Sequence, residues 1–286
     1  MLGIDELYKE LKSSNFLVDI DSRKIRKGSV FFAIKGDNFN GNEFISDALK
    51  NGSRLAISDQ DNPNFNDNHN VIKVSNSLST LQELSKFHRK KCNAKVIGIT
   101  GSNGKTTTKE LIYSVLSSNF KTICTPGNFN NHIGLPLSLF EIRHDTEFAI
   151  IEMGANNFGE IAFLTSLCEP DYGYITNFGK AHLEGFIDIN GVIKAKTELY
   201  EWIIKNDKTL LINGEDKNQK KFDNHKHIMF GCGENFQFNF REKNNDFVNV
   251  LHDNYLFETK LYGTYNYSNV CAAIALGLEF GIDKNQ

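Results

Sequence analysis

Residues Gly98 to Glu110 read GITGSNGKTTTKE and combine the residue types that hold a polyphosphate. An apolar run, KVIGI, leads into a glycine-containing turn, and a helical pattern begins near Lys105. Backbone N–H groups of such a turn and the N-terminus of the helix converge where anionic oxygens would bind. Lys105 would reach the β- and γ-phosphates of ATP, and the Thr106 hydroxyl would bind Mg²⁺. The predicted ATP-binding residues are Gly101, Ser102, Asn103, Gly104, Lys105, Thr106 and Thr107.

The loop departs from the general phosphate-binding pattern G-x-x-x-x-G-K-[ST] at one position. That pattern needs glycine at position 99, where this chain has Ile99. A strand-to-helix turn that uses its glycines only for close packing is the alternative interpretation. The strand before the loop, the helix after it and the further hydroxyls of Thr107 and Thr108 favour the nucleotide site.

Three more residues have side chains that could take part in metal chemistry. Glu152 ends the apolar run FAIIE, and a carboxylate at the carboxyl end of a buried strand is well placed to hold Mg²⁺. A strand-end glutamate facing water is the alternative. His182, after the strand YGYITN, is by itself an ordinary polar loop residue. Lys196 lies in GVIKAKTELYEW, whose charged residues have the pattern of a solvated helix face: Lys194, Lys196, Glu198 and Glu201.

The elements around these residues predict an α/β protein. From Lys95 onward, short β-branched runs alternate with helical patterns, which indicates a mostly parallel sheet flanked by helices. After Gly231, the segments FQFNF, DFVNVLH and NYLFETKLYG predict a small antiparallel sheet, followed by a final helix. The pattern predicts two domains, a smaller α/β domain at residues 1–91 and a nucleotide-binding α/β domain at residues 92–286.

Composition restricts the class of protein. A chain of 286 residues with 40% hydrophobic content can bury two cores, and a net charge of -3 gives no footprint for nucleic acid or an anionic membrane. The five cysteines are scattered, without a C-x-x-C pair, which favours a reducing compartment over a disulfide framework. With no apolar segment of membrane-spanning length, we expect a cytoplasmic monomer.

Several motifs in order carry a family resemblance. They are TGSNGKTTTKE, GNFNNHIGLPLSL, IIEMGANNFGEI, ITNFGKAHLEGF, VIKAKTELY and GTYNYSNVCAAIALG, and DSRKIRKGSVFFAIKGDNFNGNEFI precedes them. The chain resembles the Mur ligases, the ATP-dependent amide-forming enzymes of peptidoglycan precursor synthesis. The E-M-G-A-N and G-N-x-N-N-x-x-G-x-P forms are most similar to the member that joins UDP-N-acetylmuramoyl-tripeptide to D-alanyl-D-alanine.

The resemblance implies roles for individual residues. Lys105 would stabilise the transferring phosphate, Glu152 would bind one Mg²⁺, and His182 would bind a second. Lys196, carrying a carbamate derived from CO2, would be another ligand of the second Mg²⁺, with Lys194 as the competing candidate. Asn266 would bind the adenine, although Tyr265 stands where relatives often have histidine, and Asn269 would pack the helix. The implied substrate-binding residues are Ser22, Arg23, Lys35, Gly36, Asn128, Asn130 and Asn131.

The implied reaction has two steps, formation of an acyl phosphate and attack on it by the amine of D-alanyl-D-alanine. Mur ligases have a third, C-terminal Rossmann-like domain, whereas this sequence stops at GIDKNQ, just after the last predicted helix, so we expect a truncated form. We therefore expect the chain to bind its substrates but to ligate poorly, because closure of that domain completes such sites.

Three alternatives share parts of this pattern. A MurE-like or folylpolyglutamate-synthase-like ligase would use another acceptor, and a P-loop kinase would release a stable phosphorylated product. A non-catalytic nucleotide-binding regulator would have lost Glu152, His182 or Lys196, and all three are present.

Overall fold

The computed structural model describes residues 2–61, 68–179, 186–232, 235–241 and 247–285. Backbone packing divides the chain into two compact units, Met1–Cys92 with Leu139–Arg143, and Asn93–Ser138 with His144–Gln286. Within the described ranges, no helix combines the length and the apolar character that crossing a bilayer requires.

The first unit contains a parallel four-stranded sheet of order β1-β2-β5-β6 and a separate β3-β4 hairpin. Its strands are β1 (Val18–Asp19), β2 (Val30–Phe32), β3 (Lys35–Gly36), β4 (Phe39–Asn40), β5 (Leu55–Ser58) and β6 (Val71–Lys73). Its helices are α1 (Ile4–Ser13), α2 (Ile45–Lys50) and α3 (Ser77–Lys91). Helix α3 starts where the Asn76 side chain accepts a hydrogen bond from the Ser79 N–H, a good N-cap. Phe31 of β2 and Ile45 of α2 pack in one buried cluster, which attaches helix to sheet.

The second unit contains a seven-stranded, wholly parallel sheet of order β13-β12-β11-β10-β7-β9-β8. Its strands are β7 (Lys95–Thr100), β8 (Thr122–Cys124), β9 (Phe148–Glu152), β10 (Tyr172–Ile175), β11 (Thr209–Asn213), β12 (His227–Gly231) and β13 (Phe236–Gln237). The helices are α4 (Lys105–Leu116), α5 (Gly134–Leu139), α6 (Glu160–Cys168), α7 (Ile189–Lys205), α8 (Lys217–Lys220) and α9 (Tyr267–Glu279). A three-stranded antiparallel sheet consists of β14 (Asn239–Arg241), β15 (Phe247–His252) and β16 (Tyr255–Tyr262).

These observations confirm the α/β class, the parallel sheet and the small antiparallel sheet. The prediction for FQFNF was wrong in part. Phe236 and Gln237 pair in parallel with Phe230 and Gly231, and only the strand that starts at Asn239 is antiparallel. Alternation of phenylalanine with polar residues predicts a strand, but it does not specify the neighbouring strand or its direction.

Strand order places the chemically important segments together. Strand β7 lies between β9 and β10, with Ile99 paired to Glu152 and Thr100 to Ile175. The three strands are parallel, so the loops that follow them leave the same edge of the sheet. This edge is where open α/β sheets bind ligands.

Candidate nucleotide and metal site

The phosphate-loop candidate has a backbone that requires glycine. Gly101 has φ +143°, and a Cβ there would lie 2.0 Å from Thr176 Oγ1. Gly104, with φ +76°, is the residue that precedes the first turn of α4. Glycine is therefore required at both positions because of the backbone angle or the space available, and not merely because the chain turns there.

The segment after β10 holds this loop in place. The Ser102 N–H donates to Asn177 O and the Asn103 N–H to Asn177 Oδ1, each at 3.1 Å, and Thr176 Oγ1 donates to Asn103 O at 2.6 Å. Thr176 and Asn177 were not predicted as loop supports, although both lie in the motif ITNFG. Two N–H groups of the loop are thus used internally, and the unpaired N–H groups at the start of a helix such as α4 are suited to bind an anion.

Lys105 covers the loop from its helical side. Its Nζ donates to Gly101 O at 2.8 Å and to Ser102 O at 3.2 Å. Burial lowers the pKa of Lys105, while the nearby Glu152 charge acts in the opposite direction. The ammonium group thus lies at the loop, within Coulombic reach of the strand-end carboxylate.

Glu152 is buried, with 1% of its surface exposed, so the alternative of a glutamate facing water is wrong. Its Oε1 accepts hydrogen bonds from Asn130 Nδ2 at 2.8 Å and Thr106 Oγ1 at 3.3 Å. Its Oε2 is buried without a hydrogen-bond partner. A carboxylate with one oxygen that accepts no hydrogen bond, next to a threonine hydroxyl, fits the oxygen ligands that Mg²⁺ prefers.

Lys109 is a buried cation that our sequence interpretation missed. One helical turn after Lys105, its fully buried Nζ donates to Thr125 O at 2.7 Å and Gly127 O at 3.1 Å. Glu152 Oε2 lies 3.8 Å from the same nitrogen. The i, i+4 spacing after Lys105 was the available signal, because it places both ammonium groups on one face of α4.

Lys196 is 2% exposed, whereas Lys194 is exposed, so the solvated-face interpretation is wrong for Lys196. Lys196 Nζ lies 3.5 Å from Ala155 O, in the loop after β9, and 5.4 Å from the centroid of the Phe186 ring. Burial, with repulsion from Lys105 as the next cause, lowers the pKa of Lys196 to about 8. The two lysines therefore act on the same region of the sheet edge.

Glu198 is half-buried, and its carboxylate binds the backbone at the start of α6. Its Oε1 accepts from the Gly159 N–H at 2.8 Å, and its Oε2 accepts from the Ala162 N–H at 2.9 Å. A carboxylate at the start of α6 satisfies N–H groups that lack helical partners. Glu198 thereby fixes the packing of α7 against α6, and with it the helix that carries Lys196.

The three asparagines of GNFNNHIG have different surroundings. Asn130 contacts Glu152 as described, and Asn128 is exposed. Asn131 Oδ1 accepts from the N–H groups of Ile133 and Gly134, at 3.1 and 2.9 Å, and so shapes the start of α5. Substrate binding by these residues stays a prediction.

Asn266 is buried, and its amide is paired within the protein. Its Nδ2 donates to Tyr262 O at 2.9 Å, and its Oδ1 accepts from Asn269 Nδ2 at 3.0 Å. Asn269 Oδ1 in turn accepts from Thr108 Oγ1 at 3.0 Å, which agrees with a packing role for Asn269. Tyr265 is 78% exposed. Adenine binding by Asn266 stays a prediction.

The remaining predicted residues lie in the first unit or outside the described residues. Ser22 is buried in a short 3-10 helix, and the exposed Arg23 pairs with Asp21 at 2.8 Å. Lys35 and Gly36 are exposed in β3. His182 lies outside the described residues.

A glycine loop between a parallel strand and a helix, with a threonine hydroxyl and a buried glutamate beside it, defines a P-loop nucleotide-binding domain of the α/β class. Residues 99–277 match the family described as "Mur ligase middle domain", and residues 17–89 match "Mur ligase family, catalytic domain". The chain belongs to the Mur ligase family, as the sequence motifs predict.

Individual relatives refine the comparison. The UDP-N-acetylmuramoyl-tripeptide–D-alanyl-D-alanine ligase of Bacillus subtilis is 36% identical over 93% of this chain and 59% of the relative. The crystal structure of MurF from Acinetobacter baumannii is similar with a TM-score of 0.84 at 28% identity, over 97% of this chain and 66% of the other. The structure of MurF ligase from Thermotoga maritima in complex with ADP is similar with a TM-score of 0.79 at 29% identity. That similarity covers 93% of this chain and 64% of the other. The chain thus spans about 59% of the length of the Bacillus relative.

Proposed function

We propose that this chain provides the nucleotide and UDP-sugar-peptide sites of an ATP-dependent ligase that joins D-alanyl-D-alanine to UDP-N-acetylmuramoyl-tripeptide. The observation that carries the proposal is the buried Glu152 carboxylate, with one oxygen that accepts no hydrogen bond, beside the Thr106 hydroxyl of the phosphate loop. The names of the similar ligases supply the substrates. The proposed location is the cytoplasm, as a monomer.

In the proposed reaction, the terminal carboxylate of the tripeptide attacks the γ-phosphate of ATP, and ADP leaves. The amine of D-alanyl-D-alanine then attacks the acyl phosphate, and phosphate leaves. Lys105 neutralises charge on the transferred phosphoryl group, and the first N–H groups of α4 bind its oxygens. Thr106 and Glu152 would hold Mg²⁺, which supplies charge stabilisation at the phosphate oxygens when bound.

A second metal site is the finer part of the proposal. Lys196 would react as the neutral amine with CO2, lose a proton and become a carbamate, and with His182 it would hold a second Mg²⁺. The burial of Lys196 and its lowered pKa support this, because both increase the share of neutral amine. The exposed Lys194 has no comparable environment.

The proposed division of labour follows the predicted domains. Residues 1–91 would bind the UDP-sugar-peptide through Ser22, Arg23, Lys35 and Gly36, and residues 92–286 would bind ATP. The loop residues Asn128, Asn130 and Asn131 would contact the peptide side, and Asn266 the adenine.

Calorimetric titration tests the proposal. With Mg²⁺ and a non-hydrolysable ATP analogue present, the chain should bind UDP-N-acetylmuramoyl-tripeptide more tightly than the dipeptide precursor. A preference for the dipeptide would assign a MurE-like acceptor instead, and binding of neither would leave only a nucleotide site. Lys105→Met is the control for nucleotide binding, because it removes the phosphate-binding charge.

A further inference from the structure

The buried carboxylate at the sheet edge has a buried counter-charge next to it. Glu152 Oε2 lies 3.8 Å from Lys109 Nζ, and both side chains are almost wholly excluded from solvent. The ammonium protons are directed elsewhere, to Thr125 O and Gly127 O, and Glu110 Oε1 lies 3.1 Å away. Lys109 therefore supplies charge to Oε2 without occupying its lone pairs, which explains why that oxygen has no hydrogen bond.

We propose that Lys109 is the resident counter-cation of Glu152, and that it makes divalent-metal binding at Glu152 weak until a nucleotide is present. The inference rests on the nucleotide and metal site proposed above. A buried carboxylate is costly without a nearby positive charge, and Lys109 supplies that charge in the empty protein. A metal at Oε2 would then lie a few ångströms from a fixed ammonium group and be repelled by it. The phosphates of a nucleotide add the negative charge that offsets this repulsion.

Lys105 also acts on Glu152, but its position gives it another task. Its Nζ is bonded to the loop carbonyls of Gly101 and Ser102, where phosphate oxygens would compete for it. Lys109 is fully buried, and its Nζ is held by the main-chain carbonyls of Thr125 and Gly127, in the segment that follows β8. Of the two cations, Lys109 is therefore the one whose charge stays beside Glu152 when nucleotide binds.

Mn²⁺ titration, with free Mn²⁺ measured by electron paramagnetic resonance, tests the inference on the whole chain. The unsubstituted chain should bind Mn²⁺ weakly alone and much more tightly with ADP. Lys109→Met should raise the affinity for Mn²⁺ without nucleotide by about tenfold or more, because a unit charge near a divalent ion interacts by several RT. The additional gain from ADP should shrink. Lys109→Arg, which keeps the charge, should resemble the unsubstituted chain.

Controls separate this effect from loss of structure. Ile112→Ala creates a packing defect on the same helix without a charge change, and it should leave Mn²⁺ affinity unchanged. Adding Glu152→Gln to Lys109→Met should abolish the gain, since the ligand is then neutral. Lys109→Gln is also neutral but retains N–H donors for the two carbonyls. If Lys109→Met does not fold, the nucleotide-free Mn²⁺ affinity of Lys109→Gln tests the inference instead.

Unchanged or weaker nucleotide-free Mn²⁺ binding in a folded, neutral Lys109 variant would overturn the inference, with the proposed function unaffected. Failure of the unsubstituted chain to bind Mn²⁺ with ADP would instead overturn the proposed nucleotide–metal site, and the inference with it.

Discussion

The side-chain amide of Asn130 donates a hydrogen bond to Glu152 Oε1 at 2.8 Å. Residues 22 positions apart are thus joined at the end of β9, and the loop GNFNNHIG is tied to the carboxylate that we propose as a metal ligand. The same carboxylate oxygen accepts a bond from Thr106 Oγ1 at 3.3 Å, so three motifs meet at one atom.

Asn130→Ala should weaken Mg²⁺-dependent ADP binding, because Glu152 loses the donor that orients it. The lost hydrogen bond to a buried charge should also cost about 1.5–3 kcal/mol in the free energy of unfolding. Calorimetry with and without Mg²⁺, together with urea unfolding, measures both effects. Asn128→Ala is the matched control on the exposed part of the same loop, and an equal loss in that variant would contradict the assignment.

Gly101→Ala should destabilise the second unit and abolish ADP binding. The new Cβ would overlap Thr176 Oγ1, at 2.0 Å, on a backbone of positive φ. The expected cost is about 3 kcal/mol or more in the free energy of unfolding. Gly281→Ala has φ +79° but open space around it, so it should cost only about 1 kcal/mol and leave ADP binding intact. Thermal unfolding and calorimetry compare the two variants.

Glu198→Ala should lower the free energy of unfolding, whereas Glu201→Ala should leave it unchanged. Glu198 accepts two N–H groups at the start of α6, whereas Glu201 is exposed. The predicted difference in the free energy of unfolding is about 1–3 kcal/mol. Urea unfolding of both variants provides the comparison, and equal midpoints would show that the capping interaction contributes nothing.

Acid should destabilise the first unit through His88. Burial lowers the pKa of His88 below its ordinary value of 6.5, against the opposing hydrogen bond to Ile142 O. Below pH 6.5, His88 is protonated in the unfolded chain but stays neutral in the folded chain until the pH reaches its lower folded-state pKa. The free energy of unfolding therefore decreases as the pH falls from 6.5 toward that folded-state pKa.

Urea unfolding between about pH 7.5 and about pH 5 should therefore show a smaller loss of stability in His88→Gln than in the unsubstituted chain. The exposed His144→Gln serves as the control, and its pH profile should match that of the unsubstituted chain. An unaltered slope in His88→Gln would disprove the role of His88.

Lys196 should form a carbamate, observable by ¹³C NMR after equilibration with ¹³CO2 and Mg²⁺. The signal should vanish in Lys196→Met and persist in Lys194→Met, because Lys196 is buried and has a lowered pKa, whereas Lys194 is exposed. Persistence of the signal in Lys196→Met would place the modification elsewhere.

The sequence determined the fold class and the phosphate loop because both depend on local information. Alternating β-branched and helical segments predict parallel α/β architecture, and glycines before Lys105 and Thr106 predict a loop that needs unusual backbone angles. Family motifs then indicated Glu152 and Lys196 as candidate metal ligands, although the local pattern around Lys196 favoured a solvated helix face.

Only the tertiary structure decided which charges are buried and what they contact. The sequence does not distinguish the four charged residues of this helix, Lys194, Lys196, Glu198 and Glu201. In the structure, Lys196 lies in the interior, and Glu198 binds the start of α6. The contact between Lys109 and Glu152 likewise depends on the pairing of β7 with β9. Because α4 follows β7, this pairing brings Lys109 of α4 close to Glu152 at the end of β9. The burial and the Coulomb energy of a charged side chain depend on residues that are distant in the sequence. The spacing of residues along the chain does not show which of them become neighbours.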